Sequence, residues 1–303
     1  MKNNGINVHL APTDVLFKLK FIGINWVRID IDWNFTEYNK GEFNWNEIDR
    51  VINYCNNNKI DIYASIGYTP GWANDYKGIH YSPTNRSDWE KFIRKVCKRY
   101  GSKLKYFGIW NEMNLHFWKG SKKEYLEDIF QPAVRIIRSY SPYNKICGPD
   151  LTHMTGIMNF LKGNHWYIWM KYLLKNVGHE YDVISHHIYK ENVHEIFDSL
   201  DNKKWYSLIP TLESLVSKYT EAIIPFWITE TGWCTDEYTD VEQSDKIIDL
   251  YRHRDARNWP ENLFIYSAYD DPNPGVKEFG ILDKYLKPKK SYFKIEDYLT
   301  FAI

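Results

Sequence analysis

The chain has 303 residues, 17% of them aromatic, and carries 39 Lys+Arg against 39 Asp+Glu. That length suits one large α/β barrel and can bury a sizeable core. Charge neutrality removes any general electrostatic reason to expect a nucleic-acid or anionic-membrane partner, and no apolar run is long enough to span a bilayer, so a neutral ligand fits better.

In chain order, short runs rich in Ile, Val, Phe, Tyr or Trp predict strands at Ile6–Leu10, Trp26–Trp33, Asp61–Tyr68, Tyr106–Trp110, Lys145–Pro149, Val183–Tyr189, Phe226–Thr229 and Leu263–Tyr269. Amphipathic stretches alternate with them at Thr13–Phe21, Trp45–Asn57, Ser87–Tyr100, Lys123–Tyr140, Trp166–Asn176, Lys204–Tyr219, Val241–Arg257 and Lys290–Leu299. Thr13-Asp14 and Ser87-Asp88 read as N-caps, the latter with Glu90 completing a capping box, and Gly101 and Gly178 read as C-caps. Eight strand–helix units imply a parallel sheet closed into a single (β/α)8 TIM barrel over residues 1–303, with no second domain. The longest irregular stretches, Thr69–Arg86, Asn111–Lys122 and Asp150–Asn164, follow strands, which points to a substrate groove on that face.

Cys55, Cys97, Cys147 and Cys234 show no C-x-x-C spacing, which argues against a zinc site or disulfide framework and for buried free thiols. Residues 1–10 lack the longer apolar core of a signal peptide. A cytoplasmic location is the default expectation, and a secreted one follows if a leader precedes the sequence.

The chemistry centres on two acids. Glu112 follows Ile109-Trp110-Asn111, and Glu230 follows Trp227-Ile228-Thr229, each at the exit of a strand-like run. A barrel keeps its catalytic residues there, and two facing carboxylates can cleave a glycosidic bond. Asn111 can hydrogen-bond a sugar 2-hydroxyl, and Arg28 on the second strand can hold Glu230 ionised, although pairing of Arg28 with Asp30 or Asp32 is the structural alternative. One of His186 and His187 should point inward, and Tyr189 is placed to hydrogen-bond the seventh-strand acid. His9, His186, His187 and an acid could instead form a metal site, but no H-x-H or H-E-x-x-H spacing occurs, so neither metal nor cofactor is expected. His9 is kept as a substrate-binding candidate. Trp33, Trp72, Trp118, Trp233, Tyr266 and Tyr269 lie near strand ends and are candidate sugar-stacking walls; packing is the alternative for each.

The run Trp110-Asn111-Glu112-Met113-Asn114-Leu115-His116-Phe117-Trp118 resembles the acid/base signature of glycoside hydrolase family 39. Gly67-Tyr68-Thr69-Pro70-Gly71-Trp72-Ala73, Ser185-His186-His187-Ile188-Tyr189 and Thr229-Glu230 resemble that family's third-, sixth- and seventh-strand motifs. The wider resemblance is to the clan of (β/α)8 retaining glycosidases with glutamates on strands four and seven. It implies Glu112 as acid/base and Glu230 as nucleophile, supported by Asn111, Arg28, His187 and Tyr189, and a β-linked carbohydrate substrate. Met113 stands where the family has proline, and Tyr266-Ser267-Ala268-Tyr269 where relatives often place Trp. The expected function is a retaining glycoside hydrolase, with endo action favoured by the long third- and fourth-strand loops; an exo-acting β-glycosidase and a non-catalytic sugar-binding barrel are the alternatives. The sequence leaves sugar identity and oligomeric state open.

Overall fold

In the computed structural model, which describes residues 2–201, 209–220 and 223–301, eight parallel strands close into one barrel in chain order. They are β1 (Asn3–Asn7), β2 (Trp26–Asp32), β3 (Asp61–Gly67), β4 (Tyr106–Ile109), β5 (Lys145–Thr152), β6 (Val183–His187), β7 (Phe226–Thr231) and β8 (Asn262–Ile265). Pairing of β1 with both β2 and β8 completes the ring. The expected (β/α)8 barrel is the observed fold.

The strand ends differ from expectation where polar residues pair or the backbone turns. β1 starts three residues early because Asn3 and Asn4 pair with Asn262 and Leu263, and Asn4 N–H donates to Asn25 Oδ1 at 2.8 Å. Consecutive asparagines read as a turn when such partners are invisible. β5 runs on to Thr152, past a register shift between Pro149 and Leu151, which places Asp150 inside the sheet.

The helices follow the amphipathic pattern with a few departures. Asn85, not Ser87, caps Arg86–Tyr100, its side chain accepting from Ser87 N–H at 3.0 Å. Thr13–Phe21 starts after Pro12 without a side-chain cap. The stretch expected as one helix over 123–140 widens to a π-helical turn at Tyr125–Phe130 before Gln131–Tyr140. Pro132 lacks an N–H to return to the preceding turn, which accounts for the break. Of the predicted helix Lys204–Tyr219, Leu212–Tyr219 is helical and residues 204–208 lie outside the described ones; Val193–Asp201 is a helix the pattern did not single out.

Two cores hold the barrel. The larger lies between strands and helices, and the smaller fills the barrel itself with Trp26, Tyr63, Cys147, Val183, Trp227 and Phe264. These rings meet edge to face, Trp26 and Trp227 with centroids 5.0 Å apart. Each buried ring contributes about 2–3 kcal/mol of transfer free energy. The plug matters for function because it seals one end of the barrel beneath the polar residues.

Candidate active site

The period of two along each strand carries the interior from apolar to polar. On β2, Trp26 joins the plug, Arg28 lies above it and Asp30 reaches the mouth; on β6 the corresponding series is Val183, Ser185, His187. Charges therefore stand on an aromatic floor.

Glu112 and Glu230 face one another at the top of this series, each 8% exposed. One carboxylate oxygen of each and a ring nitrogen of His187 all lie within 4.8 Å of one another. That closeness fits the roughly 5–5.5 Å carboxyl spacing of retaining glycosidases. A retaining-type pairing of two glutamates near strands four and seven fits this geometry.

Each glutamate has its own environment. Glu230 lies within β7 and accepts from Arg28 in an ion pair and from Tyr189 Oη at 2.9 Å. Arg28 is 3% exposed and also donates to Asn7 Oδ1 at 3.0 Å and Asn111 Oδ1 at 2.8 Å. It does not form the alternative pair with Asp30: His9 Nδ1 takes that carboxylate at 2.5 Å. Glu112 lies three residues past β4 with φ 45°, and its N–H donates to the Asp150 carbonyl at 3.0 Å. That left-handed backbone costs a non-glycine residue energy, which the surrounding bonds offset.

His187 faces inward and His186 outward, against His153 and Trp166. His187 Nδ1 lies 2.8 Å from Glu112 Oε1 and 3.5 Å from Glu230 Oε2. Burial alone would depress its pKa, but the negative charges of Glu230, Asp150 and Glu112 raise it to about 9. Glu112 responds in the opposite sense. Burial pushes its pKa up, and the hydrogen bond and charge of His187 pull it below the ordinary glutamate value. An acid raised towards neutrality, as a general acid at rest would be, is thus not what the free site holds. The Glu112, His187 and Glu230 grouping has the spacing of metal ligands, but Arg28 and the protonated imidazole already supply two positive charges among those oxygens.

Several aromatic candidates lie elsewhere. Trp33 is fully buried, donates to Glu37 Oε2 at 2.7 Å and packs between Trp72, Trp89 and Phe92. Trp118 donates to the Ser121 carbonyl and Trp233 to those of Lys190 and Glu191, both rings buried. These three tryptophans are loop anchors, not sugar walls. Trp72 is half-buried, tied to the Glu37 carbonyl and covered by Lys40. Tyr269 is half-buried, and its segment bridges to Leu282. Tyr266 fits the expected role better: partly exposed, it stands edge-on to His9 at 5.9 Å and to Phe279 at 5.5 Å.

Sequence reasoning missed Asp150, Tyr63 and Phe279. Asp150 carried the same mark as the glutamates, an acid at the end of a strand-like run. Tyr63 and Phe279 carried none.

Among solved structures the fold is similar to a family 39 glycoside hydrolase from the gut symbiont Bacteroides cellulosilyticus, with a TM-score of 0.76 at 17% identity over 99% of this chain and 64% of that one. A monomeric β-xylosidase from Caulobacter crescentus gives 0.71 at 17% identity, over 99% and 68%. An exo-β-1,4-mannosidase from an Opitutaceae bacterium gives 0.61 at 16% identity, over 100% and 60%. The chain thus spans under two-thirds of the first of these and a similar share of the others, and at these identities the likeness is one of fold. No curated protein matches the sequence. The motif resemblance to family 39 is met at the level of the clan, a (β/α)8 barrel with paired glutamates, while the sequence model that matches, over residues 4–259, is "Cellulase (glycosyl hydrolase family 5)". That match covers most of the chain, and the chain belongs to the cellulase family, glycosyl hydrolase family 5.

Proposed function

We propose that the protein is an exo-acting retaining β-glycosidase in which Glu112 is the acid/base and Glu230 the nucleophile. The observation that carries this reading is the short approach of the two carboxylates, with Arg28 and Tyr189 on one of them alone. Arg28 and Tyr189 hold Glu230 ionised and aim its free lone pair at an anomeric carbon. Glu112 gives its proton to the leaving oxygen as Glu230 attacks, then takes a proton from the water that releases the sugar from Glu230. Asn111, tied to Arg28, meets the 2-hydroxyl. Nothing in the mechanism depends on the finer likeness to family 39.

Substrate binding to the resting site must first part His187 from Glu112. A sugar entering between the carboxylates moves the imidazolium towards Glu230, and Glu112, freed from that charge, takes up from solvent the proton it gives to the leaving oxygen. His9, paired with Asp30 and beside Tyr266, offers a donor–acceptor pair at the mouth for sugar hydroxyls.

Exo action replaces the endo mode expected from loop length. The loops after the second, third and fourth strands are tied together: Lys119 N–H donates to the His80 carbonyl and Trp72 Nε1 to the Glu37 carbonyl. Similar structures include, besides the xylosidase and mannosidase, a β-galacturonidase from Eisenbergiella tayi, which supports a closed pocket. Digestion of a panel of β-linked glycosides and polysaccharides, with product sizing, tests the reading. Monosaccharide release from chain ends is expected; oligosaccharides from internal cuts would overturn the exo mode, and no cleavage of any member would favour a binding barrel.

A further inference from the structure

We propose that Asp150 is a positioning residue of the catalytic centre: its buried carboxylate fixes the charge and orientation of His187 and Arg28, and through them the division of protons between the two glutamates. It is 1% exposed and sits between the aromatic plug and the glutamates. Tyr63 Oη donates to Oδ2, and Ser185 Oγ and Thr229 Oγ1 donate to Oδ1 at 2.5 and 2.6 Å. Its own carbonyl receives the Glu112 N–H. One residue on β5 thus touches β3, β6 and β7 and carries the acid that follows β4.

An ionised carboxylate accepts through both oxygens, whereas a protonated one would turn an O–H towards these donors, so three hydroxyl donors on two oxygens suit the ionised form. A buried charge is costly unless offset, and pure packing would have used an apolar side chain. The offset is visible. Arg28 Nη2 lies 3.6 Å from Oδ2 and His187 Nε2 lies 3.7 Å from Oδ1, too far for hydrogen bonds but within ion-pair reach. His187 Nε2 is buried without a hydrogen-bond partner, which a protonated nitrogen facing a carboxylate explains and a neutral one does not. Burial would raise the Asp150 pKa, but the charges of Arg28 and His187 with the Ser185 hydroxyl hold it well below the ordinary aspartate value.

Charge counting gives the consequence. Glu112, Glu230 and Asp150 oppose Arg28 and protonated His187, so the resting centre has one negative charge in excess and a single added proton neutralises it. Glu112 is the group that takes it for catalysis. The other titratable groups around His187 and the glutamates are Tyr189 and His186 beside it, Tyr63 below, Tyr68 after β3 and Tyr266 after β8, all neutral around pH 7, and the His9–Asp30 ion pair at the mouth, which adds no net charge.

Asp150→Asn keeps the shape and removes the charge. The test follows the His187 ring nitrogens by 15N NMR and kcat/KM against pH. The His187 midpoint and the alkaline limb should both fall by at least about one pH unit, as loss of a nearby opposite charge requires. Activity lost with the His187 midpoint unmoved would overturn the proposal and make Asp150 a structural staple. If Asp150→Asn does not fold, Ser185→Ala and Tyr63→Phe each remove a donor and keep the charge. His187 must then still titrate at about 9, and a midpoint brought down to that of free histidine would assign its proton to the hydroxyl network instead. The kinetic limb rests on the glycosidase reading, whereas the NMR midpoint needs no turnover, so failure of one is separable from failure of the other.

Discussion

His187 donates from Nδ1 to Glu112 Oε1 at 2.8 Å while lying 3.5 Å from Glu230 Oε2, so one buried imidazolium bridges both carboxylates. Two acids this close would otherwise share a proton, one pKa rising steeply, as in carboxylate dyads. With His187 and Arg28 between and beneath them, each carboxylate instead has a cation close by, Glu112 the imidazolium and Glu230 the guanidinium. Division of labour then depends on which one the imidazolium leaves when a sugar enters.

The two glutamates should fail differently. Glu230→Gln should lower kcat/KM on activated and natural glycosides alike, by on the order of 10⁴-fold or more. Glu112→Ala should cost about 10²–10⁴-fold on poor leaving groups and far less on activated ones, with azide restoring turnover. A Glu230→Gln enzyme that keeps most of its activity would reverse the assignment.

Stability should fall on the alkaline side. The His187 pKa is raised from 6.5 to about 9 in the folded chain, so its contribution is complete below pH 6.5 and lost as pH rises through 9. A shift of that size corresponds to roughly 3 kcal/mol. Chemical denaturation at pH 6.5 and pH 10 should show a drop of that order in the wild type and a smaller one in His187→Gln; equal slopes would argue that the imidazole is neutral.

Gly108 makes the Asp150 contact possible. A Cβ there would stand 2.2 Å from Tyr63 Oη, so Gly108→Ala must push the phenol off Asp150. Overpacking of this kind costs about 1–3 kcal/mol. In a Tyr63→Phe background the same substitution should cost less, because the obstructing oxygen is gone. A double-mutant cycle by urea denaturation reads the difference, and strict additivity would contradict the contact.

Trp33 and Tyr266 separate packing from binding. Trp33→Ala should destabilise the fold by about 3–5 kcal/mol and leave KM of the folded enzyme nearly unchanged. Tyr266→Ala should raise KM by roughly tenfold or less with little change in melting temperature. The reverse pattern would return Trp33 to the substrate.

Glu112 and Glu230 were readable in the sequence because strand order is local information: counting apolar runs places them at the fourth and seventh exits. Arg28, Asn111, His187 and Tyr189 were readable for the same reason, each lying at or just past a strand. Trp33 and Trp118 misled because a strand end says nothing about which way an indole turns, and both turn towards the helices, where Glu37 and Ser121 take their N–H groups. Asp150 carried the strand-exit mark, but its role did not show in the sequence, because its partners Tyr63, Ser185 and Thr229 come from three strands distant in sequence.

The central claim, that Glu112 protonates and Glu230 attacks, is tested most directly by trapping the covalent intermediate. Incubation with a panel of activated 2-deoxy-2-fluoro-β-glycosides, followed by proteolysis and peptide mass spectrometry, should find the sugar on the peptide carrying Glu230. An adduct on Glu112, or hydrolysis whose first-formed product has the inverted anomeric configuration, would contradict it.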